Sequence, residues 1–417
     1  MQKKLIWSVL ILTLCTTLAF GSGFYIFEHS ARATSMGGAF AAQANHVSTI
    51  FYNPAGITQL SGWNFSAGGT YIVPKASFTG PTSVDPNWYS EAKEWNFFPP
   101  NFYASYAITE ELSAGFGFFV PFGLGTDWGD DWIGKHLTTK GEVQMLFFNP
   151  VIAYEVIEGL SVAGGVSYVH GSISLTQAAY FTPRNMWGSV TLEGDGTGIG
   201  YNFGIRYQAT EKLAFGAQYR SNVKIDLDGD AKFTFPTSTN PIINAEIASL
   251  FPDNKGTAEI ETPIFLTIAA SYDVLDNLTL EFDYVHTGWS SYDELAVDFE
   301  TETAAVTDIA SPKNWEDVYS LRFGLEYRWN DNFALRTGYI RDQDPVPDAT
   351  LDPLLPSGNR DLFCVGGGYS FNNFAFDLAY VLLLQEDRTV TTSEIPFNGD
   401  YKSIAHLFGI NLSYSIK

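Results

Sequence analysis

Val318-Tyr319-Ser320-Leu321-Arg322-Phe323-Gly324-Leu325-Glu326-Tyr327-Arg328-Trp329 separates into two faces. Tyr319, Leu321, Phe323, Leu325, Tyr327 and Trp329 fall on one; Val318, Ser320, Arg322, Gly324, Glu326 and Arg328 fall on the other. A β-strand turns successive side chains to opposite sides of its sheet, so this is a strand with one apolar and one polar face. The apolar face begins and ends with aromatic rings, as expected where a strand enters and leaves a bilayer. Its twelve residues are close to the roughly 9–11 that a tilted transmembrane strand needs.

The pattern recurs along the chain. Ile404, His406, Phe408, Ile410, Leu412, Tyr414 and Ile416 alternate with small and polar residues, and Phe374, Phe376, Leu378, Tyr380, Leu382 and Leu384 oppose Asp377. Leu278, Leu280, Phe282 and Tyr284 oppose Glu281 and Asp283; Tyr201, Phe203, Ile205 and Tyr207 oppose Asn202, Gly204 and Arg206. A soluble sandwich also alternates, but it hides its aromatic face and keeps charges outside. Here the small residues share a face with the charges, which suits a wet, crowded lumen. Fourteen strands are expected, over 63–73, 99–108, 112–122, 142–156, 160–176, 196–208, 213–228, 258–273, 278–289, 315–329, 333–342, 361–371, 374–385 and 401–416. An even number fits a closed antiparallel barrel. Asn330-Asp331 and Asn372-Asn373 read as tight hairpin turns. They alternate with long acidic connections at 123–141, 177–195, 229–257, 290–314 and 343–360, with a short helix expected over Pro241 to Leu250. Short turns on one side and long loops on the other are the usual barrel asymmetry.

Residues 1–21 read as a secretion signal: basic Lys3 and Lys4, an apolar Leu5 to Leu18, and a small-x-small Ala19-Phe20-Gly21. The apolar run falls short of the roughly 18–20 residues of a spanning helix, and Leu14 is too large to precede a lipidated Cys15. Cleavage removes two lysines and no acid, taking the formal net charge from −23 to −25. It also leaves Cys364 as the single cysteine, so no intramolecular disulfide can form. Such acidity argues against a nucleic-acid partner. With 45% hydrophobic residues the chain does not read as disordered.

Residues 22–62 fit no wall strand. Ser35-Met36-Gly37-Gly38-Ala39-Phe40-Ala41-Ala42 is too small for a lipid-facing surface but suits packing inside a lumen, and Asn53-Pro54 breaks any helix. Ser48-Thr49-Ile50-Phe51-Tyr52-Asn53-Pro54-Ala55-Gly56-Ile57-Thr58, after a start at Ser22-Gly23-Phe24, resembles the N-terminal hatch of the outer-membrane long-chain fatty-acid transporters, the family that also includes aromatic-hydrocarbon importers. Asp130-Asp131-Trp132, Thr287-Gly288-Trp289-Ser290, Asn314-Trp315 and Asp344-Pro345-Val346-Pro347-Asp348 extend the resemblance over essentially the whole mature chain. Two features depart from it: Asn45 and His46 stand where acids often precede the Ser-Thr of the hatch, and the chain ends Tyr414-Ser415-Ile416-Lys417 without a terminal aromatic.

The expected fold is therefore all-β: an antiparallel transmembrane β-barrel of about fourteen strands (63–417) plugged by a small, partly helical N-terminal hatch (22–62), a monomer in the outer membrane. The resemblance implies uptake of a hydrophobic small molecule, captured among the outer loops, held in a pocket beside Phe24 and the Asn53, Pro54, Ala55, Gly56 turn, and released when the hatch N-terminus moves. It also implies an inward kink in the third strand that opens a window to membrane lipid. Gly115, Gly117 and Pro121 fall where that kink would lie, since proline and interior glycine interrupt a ladder. Pro121 could also simply end the strand. By alternation Arg206, Arg220, Lys224, Arg322, Arg328 and Arg336 face the lumen, where Glu281, Asp283, Glu326 or Asp377 would pair with most of them. Arg322 and Arg220 are the candidate partners of a fatty-acid carboxylate. No cofactor, metal or catalytic residue is expected. Fatty acid and aromatic hydrocarbon remain alternatives, as does a non-selective porin. A phospholipase using His170 and Ser172 lacks an identifiable third group. Asp342, Asp344, Asp348 and Asp352 have no compact calcium-loop spacing and read as a solvated acidic loop.

Overall fold

The computed structural model describes residues 23–181, 184–393 and 397–416, so the leader expected over 1–21 lies outside the described residues. Fourteen strands form the wall: β1 Trp63–Thr79, β2 Pro100–Ala107, β3 Leu112–Asp127, β4 Lys140–Ile157, β5 Leu160–Phe181, β6 Met186–Gln208, β7 Leu213–Arg220, β8 Ile264–Leu275, β9 Leu278–Gly288, β10 Val318–Arg328, β11 Phe333–Asp342, β12 Arg360–Phe371, β13 Phe374–Gln385 and β14 Gly399–Ile416. Each pairs antiparallel with the next, and β14 closes on β1 from Trp63↔Ile416 to Thr79↔Asp400. Closure pairs every strand with a neighbour on each side, which is what allows a sheet to sit in lipid. The alternation holds in three dimensions: Phe323, Leu378, Phe408 and Leu412 face outward and exposed, while Arg322, Asp377 and Asn411 are buried inside.

Two expected boundaries need correction. β5 and β6 run 22 and 23 residues, so 177–195 is mostly hairpin rather than loop. Only part of such a strand can lie in a bilayer spanned by roughly 9–11 residues; the rest extends the wall beyond it. The strand expected over 213–228 is broken: β7 stops at Arg220, and a strand Lys224–Thr234 resumes beside β6 and a second strand Asn254–Glu261. Across the break the Thr262 amide donates to the Val223 carbonyl and the Val223 amide to the Thr262 hydroxyl, each at 2.9 Å. The extra residue inverts the parity, so Arg220 and Val223 both point inward and Lys224 points out, paired with Glu259 at 2.5 Å. Arg328, also expected in the lumen, is exposed at the short-turn end. The helix Pro241–Leu250 forms where expected, capped by the Asn240 side chain.

Inside the barrel lie α1 Ala31–Ser35, α2 Thr49–Tyr52 and a 3₁₀ turn Pro54–Gln59. α2 ends because Asn53 precedes proline and takes an extended backbone. Elements this short have no stability of their own; polar groups of the wall hold them. Asp283 accepts the Phe40 and Ala41 amides at 3.1 and 3.2 Å, and Glu281 accepts those of Ala42 and Gln43 at 2.7 and 3.1 Å. Arg32 reaches Glu326 at 3.2 Å, where Arg336 bridges Glu326 and Asp377 at 2.6 and 2.7 Å. The expected pairing of lumen cations thus holds for Arg336, while Glu281 and Asp283 bind hatch backbone.

The wall is shaped to receive this plug. A side chain at Gly216, Gly324, Gly338 or Gly366 would run into Ala41, Met36, Gly37 or Ser35. Gly338→Val is therefore expected to unseat the hatch, at a cost of about 3 kcal/mol or more. A lower temperature for the unfolding-linked shift in gel mobility, relative to Gly367→Ala on the same ladder, checks this.

Candidate functional site

The third strand leaves the wall. β2 pairs with β3 only as far as Phe102↔Phe118, and the β3–β4 register slips between Phe119 and Phe122. Phe119, Val120 and Phe122 are all buried, so both faces now lie inside and the alternation is lost. Three steps on β3 oppose two on β4, a one-residue bulge. Pro121 sits in it, and its missing N–H leaves no orphan donor. Pro99 and Pro100, on the facing edge, likewise cannot extend the ladder. Between the Phe102–Phe118 pair and a Lys93 N–H to Asp127 carbonyl bond of 2.6 Å, no backbone hydrogen bond among the described residues joins β3 to β2 or to the segment 80–99 before it. The Phe97 ring stands in this interval against Gly125, where a Cβ could not fit.

The bent segment is completed by the hatch N-terminus. Ile26 donates to the Pro121 carbonyl at 2.8 Å, and Gly123 donates to that of Phe24 at 3.1 Å. Phe24 then packs edge-on against Trp289, Phe122 and Tyr292 and tilted against Trp315, with centroids 4.9–6.0 Å away. A cavity of about 250 Å³ runs from Phe24 past Val120 and Gly123 to Phe97, Phe98 and Pro99 at the gap. On its other side Phe24 closes a pocket of about 40 Å³ beside Lys313. Lys313, bonded to Asp352 at 2.8 Å and nearly buried, went unnoticed in the sequence because it sits in a loop with no periodicity; its neighbours Asn314-Trp315 were the available signal.

The other expected site residues divide into groups. Gly115 and Gly117 lie below the bend in regular ladder, opposite Ser105 and Tyr103, where a Cβ would come within 2.9 Å of hatch Ile50; they make room for the plug, and the bend belongs to Pro121. Asn53 to Gly56 line none of these cavities. Asn53 donates to the Ala41 and Ile205 carbonyls at 2.7 and 2.9 Å, pinning the hatch corner to β6. Arg220 and Arg322 are buried below Tyr25, with no carboxylate within ion-pair distance among the described residues. Arg220 stacks over Phe51 and Phe119 at 5.4 and 5.2 Å, and Arg322 over Phe27 at 4.8 Å.

Burial dominates hatch titration. It pushes His29 down to about 3, a neutral ring donating to the Ile26 carbonyl at 3.0 Å. It pushes His46, beside Arg32, down to about 4. His46 links Ser48 and Ser413 at 2.8 and 3.0 Å, so a neutral bridge stands where acids often precede the Ser-Thr of the hatch. Burial raises Glu28 to about 7 against nearby amides and Arg360.

His170 and Ser172 share the outer face of β5, between inward Val169 and Gly171, and so meet no lumenal ligand. Asp342, Asp344 and Asp348, and Asp352 engage Arg360, Arg388 and Lys313 respectively.

A closed fourteen-strand barrel with an apolar outer band, a plugged lumen and a wall gap is the architecture of an outer-membrane transport protein. The chain matches the family "Outer membrane protein transport protein (OMPP1/FadL/TodX)" over residues 12–416 and belongs to it. It is similar to the long-chain fatty acid transport protein of Escherichia coli K12 (26% identity over 438 residues, 96% of each chain) and to outer membrane protein P1 of Haemophilus influenzae (24%, 97% of this chain and 98% of the other). Its fold is similar to a Pseudomonas aeruginosa FadL homologue (TM-score 0.82, 18% identity, 96% of this chain and 100% of that one) and to the Ralstonia pickettii toluene transporter TbuX (TM-score 0.70, 20% identity, 95% and 99%). The protein is thus an outer-membrane barrel for transport of hydrophobic compounds, in a family of transport proteins rather than enzymes.

Proposed function

We propose that the chain, after loss of residues 1–21, takes up long-chain fatty acids and passes them sideways into the bilayer between β2 and β3. The gap framed by Phe102–Phe118 and Lys93–Asp127, with the cavity leading to it, is the observation that carries the reading. The physics favours a lateral exit. Apolar surface gains about 25 cal/mol per Å² on leaving water, so a ligand in an apolar pocket moves more readily to lipid than into the short-turn mouth. That mouth is lined by Arg32, Glu326, Arg328, Arg336 and Asp377. Phe97 is the movable piece, and withdrawal of Phe24 to Ile26 joins the Phe24 pocket to the cavity. Fatty acid is preferred to hydrocarbon because buried cations lie near this path: Arg220 and Arg322 below Tyr25, and Lys313 beside Phe24.

Titrating purified protein with oleate and with toluene, alongside Arg220→Ala, Arg322→Ala and Lys313→Met, tests the assignment. Saturable oleate binding weakened about tenfold by one substitution, equivalent to about 1.4 kcal/mol, is expected. Toluene bound tightly and oleate not at all would move the assignment to hydrocarbon uptake.

A further inference from the structure

The polar wall of the 250 Å³ cavity is acidic where a fatty-acid anion needs positive charge. Its charged lining comprises Glu28, Asp127 and Glu142 against Lys93 and Arg360. Both cations are already committed, Lys93 to Asp127 at 3.4 Å and Arg360 to Asp342 at 2.9 Å. Glu28 is held at the deep end. Its carboxylate accepts the Phe27 amide at 3.0 Å, its carbonyl accepts the Thr70 hydroxyl at 2.8 Å, and the residue is 4% exposed. A ligand carboxylate entering here would meet a buried carboxyl, and two such groups at short range cannot both ionise.

We propose that Glu28 makes this cavity selective for a head group that keeps a hydrogen-bonding proton: a free carboxylic acid or an uncharged hydroxyl, not a carboxylate. The inference deepens the transport reading and rests on it. The groups around Glu28 are Tyr25 and Tyr52 of the hatch, Arg322 of β10, and Arg360 and Cys364 of β12, with Asp342 of β11 behind Arg360. The two arginines favour its anion, and burial opposes them more strongly. Glu28 is therefore protonated on the acid side of about 7 and ionised above it. Below that point the acid and Glu28 can bond carboxyl to carboxyl. Above it the pair holds one proton, and a ligand that has lost its own is excluded.

The test is equilibrium binding of oleic acid and of oleyl alcohol in one detergent at pH 6 and pH 8.5. The free acid's own titration, measured in protein-free micelles, is subtracted. The remaining affinity of acid relative to alcohol is expected to fall about tenfold or more across that interval in the native protein. Glu28→Gln should remove most of the fall, and Glu28→Asp should keep it. An equal fall in native protein and Glu28→Gln, or none after the correction, overturns the inference while leaving the transport reading intact. Absence of oleic-acid binding even at pH 6 overturns both. Where Glu28→Gln does not fold, as judged by gel mobility, the corrected fall in the native protein decides.

Discussion

Deletion of Pro121 is expected to abolish oleate uptake by cells that depend on this protein, while the barrel still assembles. The bulge contains one residue more on β3 than on β4, so removing Pro121 restores a one-to-one register from Phe119↔Phe147 to Phe122↔Met145. Val120 then takes a wall position opposite Leu146, and the edge facing Phe97 to Pro99 straightens. A ligand in the lumen would have to leave through the charged mouth beside Arg328 and Glu326. Each methylene exposed on that route costs about 0.8 kcal/mol, so four raise the barrier by about 3 kcal/mol, more than a hundredfold in rate. Uptake of labelled oleate, with surface expression and gel mobility as controls, measures this. Undiminished uptake would mean that the bend is not the exit.

Replacing both Glu281 and Asp283 by alanine should open the barrel to ions. Four consecutive hatch amides, Phe40 to Gln43, depend on these two carboxylates. Hydrogen bonds contribute about 0.5–1.5 kcal/mol each, more where the acceptor is charged, and the losses are not additive. Arg206, which donates to the Ala42 carbonyl at 2.8 Å, would in addition lose the acid beside it. A net loss of at least about 3 kcal/mol multiplies the unseated population more than a hundredfold. Planar-bilayer recordings are expected to show rare openings in the native protein, frequent ones in the double variant and an intermediate frequency in Asp283→Ala. Equal conductance in all three would place the hatch's anchorage elsewhere, at Arg32 with Glu326 or at Asn53 with Ile205.

The wall was legible because alternation is a local property. Val318 to Trp329 shows both faces without reference to any neighbour, and Arg220 and Arg322 could be placed inside by parity alone. Parity also explains the error at Lys224, since a break at 221–223 shifts the count and nothing in the sequence marks it. The long β5–β6 hairpin was obscured by its glycines. Gly188 and Gly194 fall in the segment 177–195 that resembles a loop, yet a Cβ at either would meet the backbone of Thr234 or Asp228 on the neighbouring strand. Gly115 and Gly117 misled for the same reason, as their smallness answers to Ile50 across the lumen. Glu28 and Lys313 carry no periodic signal, and only the folded chain brings Glu28 to the cavity and Lys313 to Phe24.

The most direct test of a lateral exit is to let the ligand mark its own path. A fatty acid carrying a diazirine on its tail would be bound, irradiated and mapped by mass spectrometry on the purified protein. Labels concentrated at Phe97, Phe98 and Val120, and lost on deletion of Pro121, are the result expected. Labels instead at Trp329, Phe333 and Ala334 in the short-turn mouth would contradict it and return the protein to a pore that opens straight through its lumen.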